Sequence, residues 1–241
     1  MLDLGLRQRG SFSPRQLFAR GEPGAWYDPS DLGSLFQDSG GTIAAAVDAP
    51  VGRINDKSGR GNHAVQTAAG ARPMLRRDGG GRLYLEGDGV DDWLRAQFAI
   101  AQPWDRISAV RQISWTDFDR LFGSAASAFG GVIRQIGASP QIGINSGVSG
   151  PATAAFPVGV NGILTERYHG AASRLAVNES AYVTGDAGTT APSGITIFSD
   201  HLPGGFGHYR LYGVVMVGRA LTERETRLTR RFLAARAGVG L

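Results

Sequence analysis

Residues 82–94 read RLYLEGDGVDDWL, a strand pattern followed directly by a turn pattern. Leu83 and Leu85 fall on one face and alternate with Tyr84 and Glu86, which is the period of two expected of a half-buried β-strand. The glycines and aspartates that follow are typical of a tight connection between strands. This segment predicts two strands joined by a turn.

The same rhythm extends through residues 25–220, where short apolar runs are separated by Gly, Asn, Asp and Pro. Many short strands at this spacing favour a sandwich or barrel over alternating strands and helices. Residues 211–217 are apolar at both odd and even positions, as expected of a central strand covered on both faces. Residues 107–115 predict one long strand, and Asn161-Gly162 predicts a two-residue hairpin turn. We therefore predict an all-β domain.

Residues 1–23 have a different pattern and are predicted to form an N-terminal arm. Three leucines near the start alternate with other residues, as in a lone strand; they are Leu2, Leu4 and Leu6. Ser13-Pro14 then predicts the start of a short helix that Gly21 ends. A lone strand is not stable by itself, so the arm is expected to dock on its own domain or on another chain.

Residues 221–241 contain the only strong helix pattern. Thr222 and Glu225 have the spacing of a capping box, and Gly238 suits the position after the last helical residue. The apolar residues predict a stripe that packs on the sandwich; they are Leu221, Leu228, Phe232 and Ala235. Three parts are therefore predicted: an arm (1–23), a sandwich (24–220) and a packed helix (221–241).

The composition excludes several function classes. The chain has 241 residues and no cysteine, which excludes thiol nucleophiles, disulfides and cysteine-bound metals. No apolar run reaches the length of a membrane span, and no apolar segment near residue 1 resembles a secretory signal. Among the 25 basic residues only Lys57 is a lysine, and the arginines are scattered among acidic residues. We expect neither nucleic-acid binding nor membrane insertion.

No catalytic motif is recognisable, so the chain is expected not to be an enzyme. Paired carboxylates are the alternative, because glycosidases act through two of them. Asp117 and Asp119 fall on one predicted strand face, but the glutamates of sandwich glucanases are missing. Asp88, Asp91 and Asp92 form a second acidic group that suits either Ca²⁺ or the hydrogen bonding of a turn. No cofactor is predicted beyond this possible Ca²⁺ site.

Four blocks resemble the concanavalin A-like (LamG-like) jelly-roll proteins of tailed phages and gene transfer agents. They read GAWYDPSDL (24–32), PVGRINDKSGRGNHA (50–64), LYLEGDGVDDWL (83–94) and YGVV with RALTE (212–215 and 219–223). The resemblance brackets residues 24–238, although residues 107–199 match only in strand rhythm. It implies a two-sheet antiparallel jelly-roll sandwich in a virion structural protein, typically a fibre, spike or other appendage of the head or tail. It supplies no catalytic residues.

The resemblance implies a particle protein that is assembled in the bacterial cytoplasm, contacts other virion proteins, forms homo-oligomers and attaches to host surface glycan. There are two alternatives. The first is a polysaccharide depolymerase, which would be a glycoside hydrolase or lyase, and the second is a purely structural scaffold that binds no glycan. Particle attachment is assigned to five apolar residues of the arm: Leu2, Leu4, Leu6, Leu17 and Phe18. Sugar contacts are assigned to five aromatic residues: Trp93, Trp104, Trp115, Tyr168 and Tyr209.

Overall fold

The computed structural model describes residues 11–126, 129–137, 140–153 and 156–241. The strands, numbered in chain order, are β1 (Gly24–Tyr27), β2 (Leu35–Phe36), β3 (Arg53–Ile54), β4 (Ala64–Val65), β5 (Met74–Arg77), β6 (Leu83–Glu86), β7 (Leu94–Gln97), β8 (Trp104–Gln112), β9 (Arg120–Gly123), β10 (Val132–Ile136), β11 (Gln141–Asn145), β12 (Ser149–Thr153), β13 (Asn161–Tyr168), β14 (Ser173–Val177), β15 (Val183–Gly185), β16 (Gly194–Ile197) and β17 (Tyr209–Val217). The helices are α1 (Glu223–Ala237) and the 3-10 helices Pro14–Phe18, Leu32–Ser34 and Ala69–Ala71.

The strands form two antiparallel sheets, which confirms the predicted all-β sandwich. The eight-stranded sheet has the order β15-β14-β13-β8-β17-β6-β5, and β1 pairs with the second half of β17. The nine-stranded sheet has the order β12-β11-β10-β9-β16-β7-β4-β3-β2. The chain crosses repeatedly between the sheets, so residues distant in sequence become neighbours within each sheet.

The main core lies between the two sheets. Leu94 and Ala96 of β7 point into it from the nine-stranded sheet, and Leu85 and Leu211 point into it from the other. These side chains are at most 3% exposed. Burial of each large apolar side chain contributes about 1.5–3 kcal/mol, so the alternating pattern in the sequence fixes which face of each strand turns inward.

A second apolar cluster makes the outer side of the eight-stranded sheet a covered surface. Helix α1 packs against β8, β13 and β17, with Leu233 fully buried. Phe232 of α1 meets Trp26 of β1 edge to face at 5.7 Å between ring centroids. The helix therefore packs on the sandwich, as predicted.

The limits of the helix were predicted correctly, but its buried face was not. Both hydrogen bonds of the capping box between Thr222 and Glu225 are present, and Gly238 adopts a left-handed conformation at φ 65°. The predicted stripe is rotated: Leu221 is buried, Leu228 and Phe232 are half-buried, and Ala235 is exposed. The buried positions within α1 are Thr226, Thr229, Leu233, Ala234 and Ala237. Four of these five residues are small, which lets the helix axis come close to the sheet.

The arm assignment needs a correction at Leu17 and Phe18. Both lie in the 3-10 helix Pro14–Phe18, are 1% exposed and belong to the cluster that α1 covers. They are internal contacts of this chain and are not free to attach it to a particle. Leu2, Leu4 and Leu6 lie outside the described residues.

Two local predictions are wrong in the middle of the chain. The predicted hairpin at Asn161-Gly162 is instead the start of β13, with Asn161 opposite Arg111 of β8. The side-chain amide of Asn161 donates a hydrogen bond to the carbonyl of Ala237 at 2.6 Å, a contact made by tertiary structure. The strand predicted over residues 107–115 ends at Gln112, so Trp115 and residues 116–119 lie outside a strand.

Candidate functional site

Three of the five aromatic residues predicted to contact a glycan are core residues. Trp104 and Tyr168 stack with ring centroids 4.0 Å apart, and neither is exposed. Tyr209 is 1% exposed and donates a hydrogen bond to the carbonyl of Leu121. Burial raises the pKa of the Tyr168 and Tyr209 hydroxyls well above the ordinary value. These assignments were wrong, because the apolar rings fill the space between the sheets and cannot reach a sugar.

A buried ion pair lies beside these rings and ties the sheets together. Arg106 of β8 pairs with Glu166 of β13, and the two side chains are at most 1% exposed. Arg106 also donates to the carbonyl of Gly131 at 3.1 Å, next to β10 in the other sheet. The Tyr168 hydroxyl lies 2.9 Å from both Glu166 Oε2 and the carbonyl of Val132. This network is closed to a ligand and has a structural role.

The acidic group Asp88, Asp91 and Asp92 lies in the turn that joins β6 of one sheet to β7 of the other. One carboxylate oxygen from each lies within 4.8 Å of the others, so these residues could hold a divalent cation. Asp88 Oδ1 accepts from the Val90 amide at 2.8 Å, and Asp92 Oδ2 accepts from the Asp88 amide at 3.1 Å. Burial, with the charge of Asp88, raises the pKa of Asp92 to about 7. The hydrogen bonds of a turn are therefore present at this group.

The outer side of the nine-stranded sheet carries polar residues at its centre. Arg95 of β7 lies opposite Thr196 of β16, and Arg134 of β10 lies opposite Arg120 of β9. Their neighbours along each strand point into the core, so these four side chains point outward. We call the surface formed by Arg95, Arg120 and Arg134, with Thr196 buried beneath Arg95, the open face, because the one α-helix of the described residues packs on the other sheet.

Asp200 joins the strands of the open face into one network. Its carbonyl accepts from Arg95 at 3.1 Å, and its carboxylate lies 3.2 Å from Arg120 Nε and 3.0 Å from His201 Nδ1. Arg95 Nε also donates to the Thr196 hydroxyl at 3.0 Å. Arg95, Arg120 and Asp200 are held in place by each other, although they come from distant parts of the sequence.

Two aromatic rings flank this network. The Arg95 guanidinium lies 4.6 Å from the ring centroid of Trp93, and the Arg134 guanidinium lies 4.6 Å from that of Phe118. Phe118 is 49% exposed, so about half of this residue is accessible to a ligand. A groove of about 280 Å³ opens on the Trp93 side; its lining residues are His63, Val65, Thr67, Trp93, Arg95 and Gln97. Trp93 is the predicted glycan residue that the structure places at a groove.

Trp115, Asp117 and Asp119 lie in the connection between β8 and β9, beside Phe118. Trp115 is half-buried and donates its indole hydrogen to the carbonyl of Gly137 at 2.8 Å, while Asp117 accepts from the Gly137 amide at 2.8 Å. Burial raises the pKa of Asp119. The strand face predicted for the two aspartates does not exist, because these residues form a turn in which Phe118 has φ 72°.

The arginines of the open face and Asp200 were not predicted as site residues. One signal was present: Leu94-Arg95-Ala96-Gln97 alternates between apolar and polar residues, which identifies an outward-facing polar row. The proximity of Asp200 to Arg95 and Arg120 depends on how strands β7, β16 and β9 pair. A single sequence does not specify that order.

Searches against known proteins find structural neighbours but no sequence relative. No family model and no curated protein matches the chain. Trypanosoma rangeli sialidase matches at 14% identity with a TM-score of 0.55, over 89% of this chain and 33% of the sialidase. A GH54 α-L-arabinofuranosidase soaked with 4-nitrophenyl α-L-arabinofuranoside matches at 12% identity with a TM-score of 0.63, over 95% of this chain and 66% of the enzyme.

A third neighbour is an arabinofuranosidase complexed with arabinofuranosyl-α-1,2-xylobiose, at 13% identity with a TM-score of 0.60. It is matched over 93% of this chain and 65% of its own length. At these identities the likeness shows the fold, a two-sheet β-sandwich that also occurs within glycoside hydrolases. The chain spans about a third of the sialidase and just under two thirds of the arabinofuranosidases.

These neighbours correct one expectation from the sequence. The expectation that the chain is not an enzyme is contradicted, because proteins that share its fold are glycoside hydrolases. No helix among the described residues is long and apolar enough to cross a membrane.

Proposed function

We propose that this chain is a carbohydrate-active domain that holds a glycan on the open face. The observation that carries the proposal is the network of Arg95, Arg120 and Asp200, which is flanked by Trp93 and Phe118 on a sheet surface that no α-helix of the described residues covers. Sugars present apolar C–H faces and hydroxyl edges, so a site for them combines aromatic rings with fixed polar groups. The β-sandwich neighbours among glycoside hydrolases support the same class of ligand.

The residues of the open face have complementary roles in this proposal. Trp93 and Phe118 supply flat apolar surfaces on the two sides of the network. Arg95 donates to ligand oxygens, and the bond from its Nε to Thr196 fixes its direction. Gln97 is exposed at the groove and offers both a donor and an acceptor. An extended glycan lying across β7, β16, β9 and β10 would touch both rings.

Replacement of Trp93 by alanine tests the proposal. On a glycan array, we expect the wild-type chain to bind at least one oligosaccharide. The Trp93→Ala variant should bind the same oligosaccharide with an affinity lower by at least about ten-fold. The matched control is Tyr182→Ala, because Tyr182 carries Arg174 over its ring at 4.1 Å and Arg174 pairs with α1. Equal losses in the two variants, or no glycan bound by the wild type, would contradict the proposal.

Glycan cleavage is the second candidate function, favoured by the glycoside hydrolase neighbours and by the raised pKa of Asp119. Hydrolysis needs one carboxyl group to protonate the leaving oxygen and one carboxylate to take a proton from the attacking water. A raised pKa suits Asp119 as the acid, and Asp200 is the carboxylate fixed in the network of the open face. We expect reducing ends to be released from the bound glycan and Asp119→Asn to abolish release. Asp117→Asn, in the same turn, is the control.

The particle role stays a prediction supported by the four sequence blocks. Incorporation into phage-like particles, homo-oligomer formation and virion location would follow from it. Because Leu17 and Phe18 are internal, the attachment test is a triple change of Leu2, Leu4 and Leu6 to serine, with particle incorporation as the measurement. Normal incorporation would contradict attachment through these leucines.

A further inference from the structure

Three arginines from three strands of the nine-stranded sheet converge on the open face. Arg120 and Arg134 are directly opposite each other on β9 and β10, and Arg95 reaches the same Asp200 from β7. Like charges at such positions are unfavourable unless anions compensate them. The positions are fixed by strand pairing, so the arginines cannot move far apart.

Asp117, Asp119 and Asp200 lie near these arginines, and among the described residues only Asp200 forms an ion pair with one of them. Asp200 pairs with Arg120 and is also hydrogen-bonded to His201. Asp117 lies at the rim, exposed, and accepts from Gly137. Arg134 forms no ion pair within the described part of the chain, and its buried Nε has no hydrogen-bond acceptor there. Burial and the positive charge of Arg120 lower the pKa of Arg134, against the opposing effect of Asp117 and Asp200, so an anion bound beside Arg134 would stabilise its charged form.

We infer that the glycan held on the open face is anionic, and that its carboxylate groups bind among Arg95, Arg120 and Arg134. This inference rests on the proposed function. A neutral glycan would displace water from these guanidinium groups without supplying a negative charge to compensate them, which costs binding free energy. A sugar carboxylate supplies the compensating negative charge, and its two oxygens match the paired N–H donors of a guanidinium.

The charge distribution favours an acidic glycan over a nucleic acid. A single-stranded nucleic acid needs basic groups along its whole path, with aromatic rings for successive bases. Beyond Arg95 the groove is lined by Val65, Thr67, Gln97 and His63, and burial lowers the pKa of that histidine, which keeps it neutral near pH 7. The positive charge is therefore local, as suits widely spaced carboxylates on a polysaccharide.

Affinity electrophoresis with matched polymers tests the inference. The probes are polygalacturonate, alginate and hyaluronan, their carboxyl-reduced neutral forms, and a single-stranded oligonucleotide. We expect at least one acidic polymer to retard the protein about ten-fold more strongly than its reduced form, with less retardation as salt is raised. Arg134→Gln should weaken this binding about ten-fold. The matched control is Arg174→Gln, because Arg174 also lies over a ring but on the helix side.

The outcomes separate this inference from the proposed function. Equal binding of an acidic polymer and its reduced form, or wild-type affinity in Arg134→Gln, would overturn the inference and leave glycan binding in place. Equal affinity for the oligonucleotide would overturn it in favour of a general polyanion site. Failure to bind any polymer, acidic or neutral, together with an empty glycan array, would contradict both.

Discussion

The two outer surfaces of the sandwich differ in what the sequence places on them. On the eight-stranded sheet the outward residues include Ile107, Ile163 and Val215, and α1 covers them. On the nine-stranded sheet the corresponding positions hold the arginines of the open face, and no α-helix of the described residues covers them. Apolar side chains are stabilised by burial under another element, whereas charged side chains are stable in contact with solvent. The comparison indicates that the first surface serves stability, and the accessible charges of the second fit the binding role proposed for it.

The largest expected effect is on the covered surface. Leu233 of α1 is fully buried and packs against Gly213 of β17, where an added Cβ would lie only 2.9 Å from the leucine. Leu233→Ala leaves a cavity that the close helix cannot fill, so we expect the free energy of unfolding to fall by about 2–5 kcal/mol. Urea denaturation measures this change. Leu228→Ala, half-buried on the same helix, should cost much less, and an equal loss would show that burial under α1 is not the cause.

The next effect is at the turn that joins the two sheets. Asp92 has a pKa of about 7 in the folded chain against an ordinary 3.8, so its folded form binds a proton more tightly than its unfolded form. The contribution of Asp92 to the free energy of unfolding is fully present below about pH 4 and is lost as the pH rises through about 7. Solvent reaches part of the group, so we expect roughly 2 kcal/mol, about half of the full shift. In Asp92→Asn this loss should disappear.

Calcium provides the control for the same turn. If Asp88, Asp91 and Asp92 bind Ca²⁺, added Ca²⁺ at about pH 8 should raise the melting temperature of the wild type and leave Asp92→Asn unchanged, since a ligand of the folded state stabilises it. A melting temperature that does not respond to Ca²⁺ or chelator would mean that the three aspartates bind no Ca²⁺ and serve only the hydrogen bonding of the turn. A wild-type stability that is flat between about pH 4 and 8 would contradict the raised pKa.

A smaller effect is expected where α1 begins. A hydrogen bond from Arg219 lowers the pKa of Glu225 to about 2, below the ordinary 4.5. The stabilisation is therefore present above about pH 4.5 and is lost as the pH falls through about 2. We expect Glu225→Gln to cost about 1 kcal/mol near neutral pH and to match the wild type near pH 2. Glu223→Gln, in the same turn but 73% exposed, is the control, and an equal pH dependence there would contradict the assignment.

The sequence predicts the covered surface better than the open one, for physical reasons. Alternation in β6 and β7, and the apolar run in β17, follow from which faces are buried, and burial is encoded locally. The capping box of α1 is also local. The hairpin predicted at Asn161 fails because that side chain binds the end of α1, a contact that depends on tertiary structure.

The candidate site was mostly not predictable because it is assembled by strand order. Trp93 was identified since it follows a turn and is aromatic, but Trp104 and Tyr168 have the same character and are core residues. Aromatic side chains suit both a core and a sugar platform, so residue type cannot separate the two. Arg120 and Asp200 were missed because 79 intervening residues separate them in the chain. Their contact exists only through the pairing of β9 with β16.

The smallest expected effect is on the stability of the open face, and it tests the comparison most directly. Arg134→Gln removes a charge that forms no ion pair within the described residues, so it should change the free energy of unfolding by less than about 0.5 kcal/mol. Arg95→Gln also breaks the bonds to Thr196 and Asp200 and should cost about 1 kcal/mol. Removing Arg134 also relieves repulsion with Arg120, which favours a change toward greater stability. Urea denaturation at low and high salt measures both. A loss as large as that of Leu233→Ala would mean that the arginines maintain the sheet, and the open face would then be structural like the covered one.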